Sequence, residues 1–174
     1  MKIFIPTWVD GTLQPVEKLQ THLRALRHKA VSVFIMRGNQ TLLQRRALKK
    51  YHTPGLWANA CCTHPEWNED GQACAIRRLT EELGVPPQIP VYRDTVEYRA
   101  NVGNGMVEHE VVEIFVVQAD AITIRPNTDE VMDYRWETLQ NLAGQIAARP
   151  QDFTPWLKIY IEEYATKIFG DQAG

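Results

Sequence analysis

Two hydrophobic periods alternate along the chain. Residues 31–36, Val-Ser-Val-Phe-Ile-Met, are β-branched or apolar, and Arg37-Gly38-Asn39-Gln40 turns them into residues 41–46, which predicts a β-hairpin. A polar loop through Tyr51-His52-Thr53-Pro54-Gly55 leads to a short extended stretch over 56–62. From 69 to 83 the period becomes helical: Gln72, Ile76, Leu79 and Leu83 share one face, Cys74 falls opposite them, and Gly84 is placed to end the helix. Strands are expected over 91–100 and 107–118, separated by Asn101-Val102-Gly103-Asn104-Gly105. Thr154-Pro155 supplies an N-cap and a first-turn proline for a helix reaching about residue 169. Hairpins with a few helices read as an α/β sandwich. No repeat, low-complexity tract or Ser/Gly linker divides the chain, so residues 1–174 are expected to form a single domain.

Composition narrows the partners. The chain has 174 residues, 44% of them hydrophobic, and a formal net charge of -2. It is large enough to bury a core without disulfides or a structural metal, and it lacks the global positive field that holds nucleic acid or an anionic membrane. The apolar run 30–36 falls far short of the roughly 20 residues needed to span a bilayer. Cys61, Cys62 and Cys74 are odd in number with two adjacent, a poor disulfide framework that suits a reducing compartment, so a cytoplasmic location is expected.

Several groups could carry chemistry. In an extended segment Cys62 and His64 point one way and Cys61 the other; this pair is either a core thiol beside a surface imidazole or part of a site. On the strand 107–118, Glu108 and Glu110 share the face of Met106, Val112 and Ile114. Carboxylates on an apolar face need either an exposed strand end or a cation between them. His22, His28 and His64 would complete such a site, since imidazole and carboxylate donors together suit Mn²⁺, Zn²⁺ or Fe²⁺. His52 and His109 have no comparable setting. Arg78 and Glu82 lie one turn apart on the helix, either as an ordinary ion pair or as part of a ligand site. Lys18, Arg45, Arg46, Lys49, Lys50, Arg77 and Arg78 form a basic set from which several guanidinium or ammonium groups could converge on a diphosphate.

The stretch Glu69-x7-Arg77-x-Leu79-x-Glu81-Glu82-x-Gly84-Val85 resembles the Nudix box, with Thr63 in place of its leading glycine and Arg78 in place of the first glutamate of its acidic cluster. The second departure removes a metal-binding carboxylate that hydrolases of the superfamily use. Together with Arg45-Arg46-Ala47-Leu48, Pro54-Gly55-Leu56-Trp57-Ala58-Asn59, Cys62-Thr63-His64-Pro65, Tyr98-Arg99-Ala100, Glu108-His109-Glu110, the run 129–134 and Phe153-Thr154-Pro155-Trp156, the pattern resembles the type 1 isopentenyl-diphosphate isomerases from Lys18 to Trp156.

That resemblance implies a Nudix-like α/β/α sandwich with mixed, largely antiparallel sheets. It also implies a divalent metal, Mn²⁺, Mg²⁺ or Zn²⁺, on His22, His28, His64, Glu108 and Glu110, two of these, His22 and His28, from the N-terminal segment 1–29. A Mg²⁺ bridging the diphosphate would use Glu82, with Lys18, Arg46, Lys50 and Arg78 on phosphate oxygens. Cys62 and Glu110 would be the opposed acid/base pair, Tyr98 would sit beside Glu110, and Trp156 would line the hydrocarbon pocket, with Trp57 expected nearby. The partner implied is a small diphosphate; the alternatives are a Nudix diphosphohydrolase and a binding module that turns nothing over.

Overall fold

A computed structural model of the chain describes residues 2–170. In chain order the elements are β1 (Phe4–Val9), β2 (Thr12–Glu17), α1 (Lys18–Leu23), β3 (Arg27–Arg37), β4 (Gln40–Arg46), β5 (Trp57–Asn59), β6 (Cys61–Thr63), α2 (Gly71–Leu83), β7 (Val91–Gly103), β8 (Met106–Gln118), β9 (Val131–Thr138), α3 (Leu139–Ala148), α4 (Pro155–Glu163) and α5 (Ala165–Phe169). The pairings are antiparallel except that β3 and β8 run parallel, with Arg27 opposite His109 through Met36 opposite Gln118. The hairpin, the extended segment and both later strands stand where the hydrophobic pattern put them.

Alternation along β3 and β8 divides the apolar residues between two cores. Ala30, Phe34 and Met36 of β3, with Val112, Ile114 and Val116 of β8, pack under Leu142, Ile146, Trp156, Leu157 and Tyr160 of α3 and α4. Val31, Val33, Ile35, Phe115 and Val117 face α2 through Cys74, Ala75, Leu79 and Leu83. The result is helices on both faces of a largely antiparallel sheet, the expected sandwich.

Three expectations are corrected. The buried face of α2 carries Cys74, Ala75, Leu79 and Leu83, while Gln72 is exposed; Cys74 is therefore core, because the face that meets the sheet includes the small residues 74 and 75. The C-terminal helix breaks at Tyr164, whose φ of -123° leaves the helical region. The break directs Ile168 and Phe169 inward, with Phe169 edge-on to Phe34 at 5.0 Å. Finally, β3 begins at Arg27, so His28 lies within the strand rather than ahead of it.

Candidate active site

Strand register assembles the centre of the site. Across neighbouring strands Tyr98 of β7 stands opposite Glu110 of β8, and Glu110 stands opposite His28 of β3. Farther along β3, Ser32 stands opposite Cys62 of β6. Period-two alternation turns Glu108, Glu110, His28 and Ser32 to the face covered by α4, and His64 follows Cys62 onto it. Cys62 and Glu110 line one pocket, while Cys61 belongs to the opposite core, as alternation required.

Lys18 and His22 come from α1, one turn apart on one flank. Glu17 caps that helix by accepting from Leu19 N and Gln20 N at 3.1 Å each. His22 Nδ1 donates to Lys18 O and His28 Nδ1 to Leu26 O, both at 2.7 Å. These bonds fix the tautomers and leave each Nε2 with a lone pair aimed inward, and both Nε2 atoms are buried without a hydrogen-bond partner. His64 Nε2 lies 3.0 Å from Glu110 Oε1, and His28 Nε2 lies 3.5 Å from the same oxygen. The donor atoms of His22, His28, His64 and Glu110 fall within 4.8 Å of one another. Orphaned imidazole lone pairs around a buried carboxylate are a donor set that a divalent cation satisfies. Glu108, expected in the same set, groups instead with His22 and His52.

Charge in the cluster follows from burial. Burial and the neighbouring His28 bring His22 down to about 4, and burial together with Lys18 holds His64 well below the usual imidazole range. Burial disfavours ionised Glu110, but the adjoining His28 and His64 imidazoles outweigh it and keep that carboxylate far below its ordinary pKa. Burial and the charge of Glu110 push Glu108 well up. Tyr98 OH bridges the pair, 2.8 Å from Glu108 Oε2 and 2.7 Å from Glu110 Oε2. A phenol has one proton to give, so without a cation in the cage a proton held on Glu108 completes a relay from Glu108 through Tyr98 to Glu110.

Lining the same pocket as this relay is Cys62, whose Sγ accepts from Ser32 Oγ at 3.3 Å, with Tyr160 OH 2.8 Å beyond on that serine. Burial pushes the thiol well up, and Glu110 and Glu108 add to the effect. The Arg46 guanidinium, which acts in the opposite direction, is outweighed. Ser32 and Tyr160 carried no sequence signal; only the register across β3 and β6 reveals the serine.

Four of the seven basic residues reach the pocket: Lys18, Arg46, Lys50 and Arg78. Burial, with Lys50 and Arg78 close by, lowers Lys18 to about 8. Cations crowded around a buried ammonium are relieved by an anion between them. Arg78 also donates to Glu81 and Glu82, at 2.7 and 2.6 Å, and Gln44 Nε2 holds the other Glu82 oxygen at 3.0 Å. Lys50 pairs with Glu130, which lay in the matched run 129–134 but was given no role there. The other three basic residues serve elsewhere: Arg77 forks onto Glu69 at 2.7 and 2.8 Å, Lys49 meets Asp129 at the surface, and Arg45 donates to Gly55 O.

Trp156 closes the pocket at 1% exposure, with the Arg46 guanidinium 5.2 Å from its ring centre. Trp57 does not line it. Its ring stacks against Arg135 at 4.3 Å, while its carbonyl accepts from Thr154 N at 2.9 Å and so pins the start of α4 beside Trp156. Tyr51 and His52 take the wall position instead. His52, read in the sequence as having no role, is buried, whereas His109 pairs with partly exposed Glu97. The cavity among these groups is about 20 Å³, room for a water or an ion.

A family model for the NUDIX domain matches residues 26–157. Isopentenyl-diphosphate Delta-isomerase of Dinoroseobacter shibae is 56% identical over 174 residues, 99% of each chain. The enzyme of that name from a Jannaschia species is 61% identical over 171 residues, 97% of each. The chain belongs to the Nudix family and, within it, to the isopentenyl-diphosphate Delta-isomerases. In fold it is similar to a Deinococcus radiodurans protein solved by crystallography, with a TM-score of 0.69, 16% identity, and coverage of 94% of this chain and 99% of that one. These family members make the isomerase reading stronger than the hydrolase alternative. Among the described residues no helix is long and apolar enough to cross a membrane.

Proposed function

We propose that the protein interconverts isopentenyl diphosphate and its allylic isomer, dimethylallyl diphosphate. The observation that carries this reading is the placement of a buried thiol, Cys62, and a carboxyl–phenol relay, Glu110 with Tyr98 and Glu108, in the wall of one pocket rimmed by four cations. Addition of a proton to the terminal alkene carbon gives a tertiary carbocation. Loss of a proton from the carbon next to the diphosphate-bearing one then gives the allylic product. The proton added and the proton removed balance, so no oxidant, reductant or water is consumed.

Cys62 exchanges the proton at the second position, and the Glu110–Tyr98 side serves the terminal carbon. Burial beside two carboxylates disfavours a thiolate and a fully ionised relay together, so one proton is shared across the pocket and the two sides alternate as donor and acceptor. Trp156 offers its ring face to charge that exists only along the reaction path, worth about 2 kcal/mol or more when dry. The surrounding Tyr51, His52 and Trp156 keep out the water that would capture a carbocation. Lys18, Arg46, Lys50 and Arg78 grip the diphosphate, with Arg78 standing where a hydrolase of this superfamily has a carboxylate.

His22, His28, His64, Glu108 and Glu110 would hold a divalent cation such as Mn²⁺ or Zn²⁺, and Glu82 would hold a Mg²⁺ beside the diphosphate. When bound, these ions supply positive charge that keeps the buried carboxylates ionised and the diphosphate oxygens neutralised. The test is incubation with isopentenyl diphosphate while following both isomer formation and phosphate release. Isomer without phosphate is expected; steady phosphate release without isomer would establish the hydrolase instead.

A further inference from the structure

Beside the cage stands a histidine that the family pattern did not supply. His52 Nε2 lies 3.4 Å from Glu108 Oε1. Two donors each about 2.1 Å from one ion stand about 3.0 Å apart at an octahedral right angle and about 3.4 Å apart at a tetrahedral angle. His28 Nε2 and Glu110 Oε1, at 3.5 Å, keep nearly the same spacing. The donor atoms of His22, His52 and Glu108 fall within 4.8 Å of one another.

The backbone holds His52 in place. Its Nδ1 lies 3.0 Å from Thr53 Oγ1, which leaves Nε2 to face the cage. Arg46 donates to His52 O at 3.1 Å and to Thr53 O at 3.2 Å. Thr53 sits at φ +46°, a conformation costly for a β-branched side chain and retained where the surroundings enforce it. The turn therefore carries strain at the residue whose geometry points the imidazole inward.

His22 belongs to both donor groups, yet its Nδ1 is committed to Lys18 O, so it has one nitrogen to offer one ion. The two groups cannot each take their own ion through it. We propose that the two groups, whose donor atoms do not all lie within 4.8 Å of one another as they stand, draw together on one ion, with His52 a fourth imidazole ligand of the divalent cation beside His22, His28, His64 and the two glutamates. This rests on the metal-cage reading above. Four imidazoles select Mn²⁺, Fe²⁺ or Zn²⁺ over Mg²⁺, which prefers oxygen donors.

The test is Mn²⁺ binding to the metal-free full-length protein, with stoichiometry and affinity from equilibrium titration and the number of coordinated imidazole nitrogens from pulsed electron paramagnetic resonance. One Mn²⁺ per chain with four imidazole nitrogens is expected. In His52→Gln the count should fall to three and the affinity by roughly 100-fold or more, since even partners outside the coordination sphere are worth about 10- to 100-fold. Three nitrogens in the parent protein, or the same count in both proteins, would overturn the assignment; the parent measurement decides even if the variant does not fold. Failure of the parent to bind Mn²⁺ would overturn the cage reading itself, whereas binding through three imidazoles removes only His52.

Discussion

At Cys62 the decisive quantity is where one proton resides. The thiol is raised by burial and by Glu110 and Glu108, and the phenol of Tyr98 is raised by burial and the same carboxylates. Neither ionises readily alone, so each depends on the other side of the pocket to take the proton. Cys62→Ala should abolish isomer formation while circular dichroism and bound metal stay at the parent level; near-parent turnover would exclude the thiol. Lys18 is brought to about 8 by burial and by Lys50 and Arg78. A cationic group with a depressed pKa loses its charge as pH rises through that lowered value, so grip on the diphosphate is present below pH 8 and lost above it. The alkaline limb of kcat/KM should fall near pH 8 and move upward in Lys18→Arg, whose guanidinium stays protonated; an unmoved limb would assign it to another group. Arg78→Glu sets a second carboxylate against Glu82 and Glu130 and should raise KM at least about tenfold, a loss in line with a charged hydrogen bond of about 1.5–3 kcal/mol. An unchanged KM would reduce Arg78 to a partner of Glu82.

At the scale of elements, α2 ends at Gly84, with φ +59° and an ideal Cβ position 2.5 Å from Arg125 O. That tight approach fixes the α2 terminus that carries Glu82. Gly84→Ala should cost about 1–2 kcal/mol for the left-handed backbone alone, with the contact added, and a lowered urea midpoint at constant slope would measure it. The end of α2 was legible in the sequence because a glycine after a helical period has one economical use. The paired strands β7 and β8 were legible for a similar reason, since Asn104-Gly105 adopts φ of +53° and +71° between them. The equivalent Asp10-Gly11 turn, at φ +50° and +78°, also marks a hairpin, but the runs flanking it mix prolines and polar residues and present no clean alternation. Beyond the elements, which residues converge was legible only through motif order. His52 and Ser32 show the limit: one is turned inward by a left-handed backbone at Thr53 that its residue type does not signal, and the other by register with a strand 30 residues away.

For the molecule as a whole, two cores brace one sheet so that polar groups can be buried where β8, β3 and β6 meet α1 and α4. A cavity of about 20 Å³ is smaller than a five-carbon diphosphate, so the pocket must open for substrate to enter. Chelation of divalent cations should inactivate reversibly, with activity restored by Mn²⁺ or Zn²⁺ together with Mg²⁺; full activity in the metal-free protein would contradict the cage. The exchange of one proton between opposite walls is tested most directly by incubating the protein with isopentenyl diphosphate in D₂O and locating the deuterium by nuclear magnetic resonance. Solvent deuterium should enter the new methyl group of the allylic product and, through the reverse reaction, the carbon next to the diphosphate-bearing one in substrate. An allylic product free of solvent deuterium, formed by direct transfer within the substrate, would contradict the account.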